Sequence, residues 1–294
     1  MKVYEGLEAI PAPLASSSVA IGTFDGVHRG HQALIRRAVE DAHAQNRPAV
    51  VLTFDRHPME LFRPEAAPKR LTTPAQRDAL IAALGIDTLI VARFDHALAE
   101  LSADAFMTEI LKGLLGAQAI VEGDDFCFGK GRAGDLAYLQ HRQGKYCFTL
   151  HTLKPLLIDG VRASSTRVRE LLHAGEIAHA EEMLGHGYWL AGQAIRTQRS
   201  RHVLRHATVH LIYPYRQVIP LEGAYSVRIR FDDGRECDGI CTIRKAVNPC
   251  LETVLSDFDA NLTGREMTLR FVHRLHAEGK RYFLPRDAAV RDIA

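Results

Sequence analysis

The first half of the chain alternates short apolar runs with amphipathic segments, and this alternation restricts the fold more than any other feature. The apolar runs predict four strands, which are "SVAIG", "PAVVLTF", "DTLIVARF" and "AQAIVEG". The segments between them predict helices, which are about Gly30 to Gln45, "AQRDALIAALG" capped by Thr73 with Pro74 at its first position, and "ADAFMTEILKGLLG" capped by Ser102. Strands and helices in strict alternation predict an α/β domain with a parallel sheet covered on both faces.

The character of the sequence changes after the helical segment "STRVRELLHAGEIAHAEEMLG". From "GYWLAGQ" onward, β-branched alternating runs are separated by turns such as "DDGRE", which predicts antiparallel strands in a sandwich or a small barrel. The final segment, "GREMTLRFVHRLHAEGKRYF", predicts a mixture of strand and helix. We therefore predict two domains, residues 1–186 and residues 187–294.

The composition narrows the class of protein. Among the 294 residues, 37 Lys and Arg face 35 Asp and Glu, and a net charge of +2 argues against a dedicated nucleic-acid binder. Five cysteines without a CxxC pair indicate reduced thiols, rather than a disulfide framework or a zinc site. Pro11 and Pro13 interrupt the N-terminal apolar stretch, which makes it a poor signal peptide, and no apolar run could span a bilayer. We therefore predict a cytoplasmic protein that binds neither nucleic acid nor a membrane.

The segment "GTFDGVHRGH" lies where the first predicted strand ends and the first helix begins, a position at which α/β folds bind ligands. Gly22 and Gly26 allow the backbone to approach a bound group closely. His28 and His31 are three residues apart, so they share one face of the first helical turn, beside free N–H groups. A structural turn that happens to contain histidines is the alternative. The spacing and context favour a phosphate-binding site.

The same segment resembles the signature of the bacterial FAD synthetases, the nucleotidyltransferase half of the bifunctional riboflavin kinase/FMN adenylyltransferases. Further segments resemble the other blocks of that family in the same order, which are "LTFDRHP", "LTTPAQRDALIAALGID", "FDHALAELSADAF", "EGDDFCFGKGRAGD" and "SSTRVRELLHAGEIAHAEEMLG". The resemblance covers residues 15–190, and several blocks in order are far more specific than any one. Two residues depart from the family pattern, Arg56 where proline is usual and Cys127 where arginine is usual.

The resemblance implies a Rossmann-like nucleotidyltransferase domain that transfers AMP from ATP to FMN with Mg²⁺ as cofactor, giving FAD and pyrophosphate. The catalytic residues that it implies are His28, His31 and Arg169. The nucleotide-binding residues that it implies are Gly22, Phe24, Asp25, Gly26, Ser164, Ser165 and Thr166. The flavin-binding residues that it implies are His57, Asp124, Asp125, Phe126 and Phe128. No carboxylate cluster in the sequence identifies ligands for the metal.

The residue types agree with this chemistry. Adenylyl transfer needs no covalent nucleophile from the protein, so positioning and charge stabilisation supply the catalysis. The hydroxyl residues 164–166 stand before a predicted helix, where they can bind phosphate, and Arg169 can add a bidentate fork. A plain helix cap is the alternative for "SST". For Asp124 and the two phenylalanines, a capped loop with core side chains is an equally good interpretation.

The second half resembles the riboflavin kinase module of the same family, a small antiparallel β-barrel. "LETVLSDFDANLTGREMTLRF" resembles the block with the catalytic glutamate, which is Glu252 here. The glycine-rich flap and its Gly-Phe-Pro-Thr-Ala-Asn sequence are replaced by "TQRSRHVLRHATVHL", in which Thr208 alone remains. Because side chains such as Arg201 and His202 would obstruct close approach of the backbone to phosphates, we predict a folded barrel without riboflavin kinase activity.

Three alternatives to a transferase with an inactive kinase module stay open. A fully bifunctional enzyme is compatible with Thr208 and Glu252. A non-catalytic flavin- or nucleotide-sensing protein is disfavoured, because His28, His31 and the "SSTRVR" block are intact. A nucleotidyltransferase with an altered flavin or nucleotide substrate is compatible with the two departures from the family pattern.

Overall fold

The computed structural model describes most of the chain, and the described residues are 1–199, 206–212, 216–244, 250–256, 262–275, 282–283 and 292–293. The chain forms two compact units, residues 1–164 and residues 165–294. None of the described helices is long and apolar enough to cross a membrane.

The first unit is built on a six-stranded sheet in which every pair of neighbouring strands is parallel. Its strands, in the spatial order β1-β4-β3-β2-β5-β8, are β1 (Lys2–Glu5), β2 (Ser17–Ile21), β3 (Ala49–Phe54), β4 (Thr88–Ala92), β5 (Ala117–Gly123) and β8 (Thr149–Leu153). The predicted parallel sheet is thereby confirmed. The pattern missed the two edge strands, β1 and β8, because they carry mostly exposed or half-buried residues, whereas β2 and β4 are buried throughout.

Helices cover both faces of the sheet, as predicted. They are α1 (Arg29–Ala44), α2 (Pro58–Phe62), α3 (Pro74–Ala82), α4 (His96–Ala99), α5 (Ala103–Ala105) and α6 (Leu136–Tyr146). One core contains Ala20 and Val51 of the sheet with Ile35 of α1 and Ile81 of α3. The core on the opposite face contains Val19, so neighbouring residues of β2 point to opposite faces, as strand geometry requires.

The helix caps follow the sequence. Thr73 forms a capping box, since its Oγ1 accepts from the N–H of Gln76 at 3.2 Å and the side-chain Oε1 of Gln76 accepts from the N–H of Thr73 at 2.8 Å. Ser102 caps the next predicted helix. That helix begins as α5 but continues as a π-helix over Phe106–Leu114, a wider winding that the periodicity did not indicate.

Short segments complete the first unit. They are the 3₁₀ turns Leu7–Ala9, Asp25–Val27, Pro64–Ala66 and Lys130–Arg132, and the two-residue strands β6 (Cys127–Phe128), β7 (Gly134–Asp135), β9 (Leu157–Ile158) and β10 (Val161–Arg162). The paired strands β9 and β10 form a small antiparallel sheet just before the second unit begins.

Among its described residues, the second unit contains two helices and a closed antiparallel barrel. Its elements are α7 (Ser165–Ala174), α8 (Ile177–Leu184), β11 (Trp189–Arg199), β12 (His206–Ile212), β13 (Gly223–Phe231), β14 (Glu236–Ile243), β15 (Cys250–Ser256), β16 (Glu266–Leu275), β17 (Tyr282–Phe283) and β18 (Asp292–Ile293). The barrel order is β11-β12-β15-β14-β13-β16, which confirms a barrel rather than a sandwich. In its interior, the rings of Tyr225 and Phe271 meet edge to face at 5.4 Å. The helix predicted in the final segment falls largely outside the described residues.

The division between the compact units lies earlier than the predicted domain boundary between residues 186 and 187. Helices α7 and α8 pack against the barrel, where the N–H of Leu221 donates to the Leu172 carbonyl at 2.9 Å and Arg270 pairs with Glu181 at 3.4 Å. Compactness therefore groups these helices with the barrel. The boundary between functional modules stays a prediction.

The capping box of α3 makes a measurable contribution to stability. Replacing Thr73 with alanine removes the side-chain acceptor for the Gln76 N–H, and we expect the free energy of unfolding to fall by about 1 kcal/mol. Urea denaturation of Thr73→Ala measures the loss. Thr73→Ser, which keeps the acceptor oxygen, should remain near the wild-type value. Equal stability of Thr73→Ala and wild type would contradict the assigned cap.

Candidate active site

The loop between β2 and α1 begins at the carboxyl end of a central strand of the parallel sheet. Its first N–H, of Gly22, donates to the carbonyl of Leu52 on β3 at 3.1 Å. Gly26 has a φ of 79°, and two residues with side chains also have left-handed backbone conformations, Phe24 at 44° and Val27 at 40°. A β-branched residue in this region is strained, and such strain is concentrated at functional sites.

His28 and His31 form a stacked pair at the N-terminus of α1. The ring centroids are 3.6 Å apart, and the ring of Phe24 meets His31 edge-on at 5.1 Å. His28 is only 6% exposed and caps the helix, since its Nδ1 accepts from the N–H of His31 at 3.3 Å. An accepting Nδ1 carries no proton, so the neutral ring carries its N–H at Nε2. The predicted juxtaposition of the two histidines is thus present in the structure.

Asp25 fastens this loop to the segment before α3. Its carboxylate accepts from the N–H of Leu71 at 3.0 Å and from both the N–H and the hydroxyl of Thr72 at 3.1 and 3.2 Å. The same Thr72 hydroxyl accepts from the N–H of Gly26 at 3.1 Å. Asp25 therefore positions the loop, and its predicted contact with nucleotide stays a prediction.

Gly30, in the first turn of α1, was given no role by the sequence. A Cβ atom at this position would lie 3.1 Å from Cε1 and Nδ1 of His28 and 3.3 Å from the carbonyl oxygen of Ala163. A methyl group here would therefore press on the His28 ring and the Ala163 carbonyl, which would have to shift by a few tenths of an ångström. Glycine at a position where helix propensity disfavours it was the available signal in the sequence.

The hydroxyl residues of the "SST" segment flank the start of α7. Ser164 ends the first unit, whereas Ser165 and Thr166 lie in the first helical turn and Arg169 follows one turn later, half-buried. The backbone N–H groups of a first helical turn have no partners within the helix, so the predicted phosphate contacts remain chemically available. Their association with the two histidines stays a prediction.

His57 caps the short helix α2. Its Nδ1 accepts from the N–H of Met59 at 3.1 Å, and the Glu60 carboxylate accepts from the N–H of His57 at 3.1 Å. Arg70 clamps that carboxylate through both oxygens at 3.0 and 3.1 Å. Burial alone would raise the pKa of Glu60, but the hydrogen bonds and charge of Arg70 outweigh burial and lower it.

An aromatic group stands beside this helix, and the sequence reasoning missed it. Phe54 ends β3, and its ring meets the ring of Phe94 edge to face at 5.5 Å. Phe62 lies 6.2 Å from Phe94 and is 57% exposed. An exposed aromatic ring supported by others is a surface on which a planar ligand can stack.

The predicted flavin-binding segment after β5 combines exposed carboxylates with buried rings. Arg162 of β10 pairs with Asp124 at 3.2 Å and with Asp125 at 2.9 Å. Phe128 is 8% exposed and belongs to the core, and the ring of Phe126 stacks on it at 5.4 Å. Phe126 is therefore the more accessible of the two rings. The flavin contacts of these residues stay predictions.

Glu122 lies on β5, two residues before Asp124. It is 1% exposed, and it was given no role in the sequence analysis. Its carboxyl oxygen accepts from the N–H of Ile21 at 3.1 Å. Burial raises the pKa of Glu122 well above its usual range, and the hydrogen bonds from the N–H groups of Ile21 and Gly123 offset only part of that effect. A buried carboxyl with a raised pKa therefore lies between the two predicted binding segments.

Thr208 and Glu252, the two residues that resemble those of the kinase module, lie on neighbouring strands of the barrel. Glu252 stands opposite His210 in the β12–β15 ladder, and Thr208 lies on the same face of β12 as His210. Arg244 pairs with Glu252 at 3.4 Å. The residues from Arg201 to Arg205, which replace part of the family's flap, fall outside the described residues.

Among the described residues, no group of three or more His, Cys, Asp or Glu side chains is arranged to hold a metal ion. Magnesium in phosphoryl-transfer enzymes retains several waters and is held largely by the substrate's phosphates.

A histidine-bearing loop at the carboxyl edge of a parallel sheet, at the N-terminus of a helix, defines the class of the first unit as a nucleotide-binding α/β domain. The family model for FAD synthetase matches residues 11–167, and that for riboflavin kinase matches residues 184–284. The chain belongs to the bifunctional riboflavin kinase/FMN adenylyltransferase family, and it is an FMN adenylyltransferase by class.

Several curated relatives are named as members of this family, and the match covers almost the whole length of each. The protein from Pseudomonas fluorescens is 36% identical, over 95% of this chain and 90% of its own. That from Haemophilus influenzae is 33% identical over 95% and 92%, and that from Escherichia coli K12 is 32% identical over 100% and 95%. A solved structure described as a macrolide-efflux protein from Streptococcus pneumoniae superposes with a TM-score of 0.80 over 95% of this chain and 91% of its own. It is 24% identical, so the likeness concerns the fold alone.

The close approach of Gly30 to His28 predicts a specific sensitivity. In Gly30→Ala the new methyl group must displace the His28 ring, and we expect kcat for FAD formation to fall roughly 10-fold or more, because small displacements of catalytic groups are costly. Gly144→Ala is the matched control, since its Cβ would meet nothing within 4 Å in α6. The control should keep wild-type activity and gain stability. Wild-type kcat in Gly30→Ala would refute this role for the glycine.

Proposed function

We propose that the first unit transfers AMP from ATP to FMN at the carboxyl edge of its sheet, and that the barrel no longer phosphorylates riboflavin. The observation that carries the first part is the stacked pair of His28 and His31 at the N-terminus of α1. Two imidazoles and the first N–H groups of a helix form a set of donors for a polyphosphate.

The reaction needs no covalent nucleophile from the protein. A phosphate oxygen of FMN forms a bond with the α-phosphorus of ATP, while the bond from that phosphorus to the bridging oxygen breaks. Both electrons of that bond leave with pyrophosphate. His28 and His31 hold the phosphates and stabilise the charge that develops on the leaving group, and Arg169 adds a bidentate donor. Gly22, Phe24 and Gly26 shape the loop so that its backbone can approach the nucleotide.

The flavin is assigned to the region between the aromatic group and the segment after β5. The exposed ring of Phe62 provides a stacking surface, and the capping role of His57 fixes the neighbouring helix. Asp124 and Asp125, held by Arg162, present carboxylate oxygens to polar groups of the ligand. Phe126 is available at the margin of the core.

Magnesium is assigned to the substrate. An ion bound with the phosphates of ATP would neutralise part of their charge and lower the repulsion that the attacking FMN phosphate meets.

The inactive kinase half is inferred from the replaced flap. In "TQRSRHVLRHATVHL", charged and branched side chains stand where the family has glycines, so backbone N–H groups cannot approach phosphates closely. Glu252 is paired with Arg244 at 3.4 Å, an ion pair that competes with its use as a general base. The closed barrel supports retention of this module as a scaffold or as a binding surface for flavin or a partner.

The protein's location and partners are proposed from the same observations. Cys127, Cys147, Cys237 and Cys241 are free thiols, and burial raises the pKa of Cys241 to about 12, so this thiol is unreactive. Free thiols suit the reducing cytoplasm. The small net charge supports small-molecule substrates, rather than nucleic acid, as the ligands.

Removing either histidine tests the transferase assignment. We expect His28→Ala and His31→Ala each to slow FAD formation from FMN and ATP by roughly 10²-fold or more, the typical cost of one lost transition-state donor. His43→Ala, at the exposed C-terminal end of the same helix, is the control and should leave the rate unchanged. Unchanged kcat in either site variant removes that residue from the mechanism.

Product analysis tests the kinase assignment separately. Purified protein with Mg²⁺ and ATP should convert FMN to FAD and leave riboflavin untouched when the products are separated by chromatography. Glu252→Ala should form FAD at the wild-type rate, because it lies in the barrel and is not part of the proposed transferase site. Formation of FMN from riboflavin would show that the altered flap still supports phosphoryl transfer.

A further inference from the structure

The carboxyl ends of β2 and β5 separate at the point where the strand order of the sheet reverses. Their ladder ends with the pair Ala20 and Val121, whereas β2 remains paired with β3 as far as Ile21, and β5 remains paired with β8 as far as Gly123. The backbone ladder between the two strands therefore stops before Ile21 and Glu122. Ligands of open α/β sheets bind outside the carboxyl ends of the strands at such a switch point.

Because the β2–β5 ladder ends at Ala20 and Val121, the N–H of Ile21 has no backbone acceptor on β5. Ile21 is 3% exposed, and the next N–H along the chain, of Gly22, already points to Leu52 on the other side. The N–H of Ile21 faces β5, where no further backbone pair is formed. A buried N–H without an acceptor costs free energy, so a side chain of β5 has to supply the acceptor.

The Glu122 side chain supplies that acceptor. Its oxygen lies 3.1 Å from the Ile21 nitrogen, and the side chain belongs to the residue just before Gly123. The carboxyl group therefore connects the residue before the histidine loop with the residue that begins the predicted flavin segment. Valine or leucine would suit a buried strand, but neither could make this connection.

We propose that Glu122 is a positioning residue for adenylyl transfer, whose buried carboxyl holds the histidine loop and the segment from Gly123 to Phe128 at a fixed separation. This role rests on the transferase function proposed above. Glu122 is fully enclosed, so it acts through the backbone of its neighbours. Its raised pKa agrees with a neutral carboxyl, which a glutamine amide can imitate.

Three variants distinguish a positioning role of Glu122 from a general contribution to the stability of the fold. Glu122→Gln keeps an oxygen acceptor for the Ile21 N–H, whereas Glu122→Leu fills much of the volume without one. Ser17→Ala is the matched control. Like Glu122, Ser17 is buried, and its hydroxyl donates to the Leu115 carbonyl at 2.5 Å. This contact lies at the end of β2 opposite Ile21. Glu122→Met replaces Glu122→Leu should the latter fail to fold, since a flexible thioether adapts to irregular cavities.

The kinetic test measures kcat and KM for ATP and for FMN at a temperature where every variant is folded. We expect Glu122→Leu to lose roughly 10-fold or more in kcat/KM for both substrates, because displaced groups lose catalytic power steeply. Glu122→Gln should stay within about 3-fold of wild type, since the amide oxygen restores the acceptor. Ser17→Ala should keep the wild-type kinetic constants despite lower thermal stability.

Hydrogen exchange of the unliganded protein tests the contact independently of activity. The amide of Ile21 should exchange faster in Glu122→Leu, but not in Glu122→Gln or Ser17→Ala. Wild-type kcat/KM in Glu122→Leu overturns the proposal, as does equal loss in Glu122→Leu and Glu122→Gln. Protein that forms no FAD at all, yet shows the expected exchange pattern, would overturn the proposed function while leaving the contact established.

Discussion

The separation of β2 from β5 beyond Ala20 and Val121 is the constraint on which the candidate site depends. A parallel sheet offers a binding crevice only where two central strands stop pairing, and there the polar backbone needs other partners. The Gly22 N–H finds Leu52 on β3, and the Ile21 N–H finds the Glu122 carboxyl. With the backbone satisfied, the chain can turn sharply through left-handed residues into α1. The stacked histidines follow from that turn.

Two carboxyl groups fix this region in different ways. Asp25 accepts from the N–H groups of Leu71 and Thr72. The loop is therefore fastened to the segment just before the capping box at the start of α3. Glu122 fastens the preceding strand to the segment after β5. Both carboxyl groups are thus engaged with backbone N–H groups, which leaves the two imidazoles and the start of α1 as the groups of this loop that we propose face the phosphates. This set suits a reaction between two anionic phosphates, in which stabilisation of negative charge matters most.

Local patterns in the sequence made the sheet and the helix caps predictable, whereas contacts between distant residues could not be predicted. Alternation of apolar runs identified the four central strands, and Thr73 and Ser102 marked helix starts because capping is local chemistry. The edge strands escaped detection because half-exposed strands lack the apolar run, and the π-helix escaped because its winding follows from packing. Motif spacing brought His28 and His31 together correctly. Glu122 and Phe62 gave no signal, since their roles depend on partners many residues away.

A structure of the protein with FMN and a non-hydrolysable ATP analogue, α,β-methylene-ATP, tests the central claim most directly. We expect the triphosphate at the N-terminus of α1, within hydrogen-bonding distance of His28 and His31, with the flavin ring against Phe62. A triphosphate bound elsewhere in the chain, with the loop between β2 and α1 making no contact with it, would contradict the account.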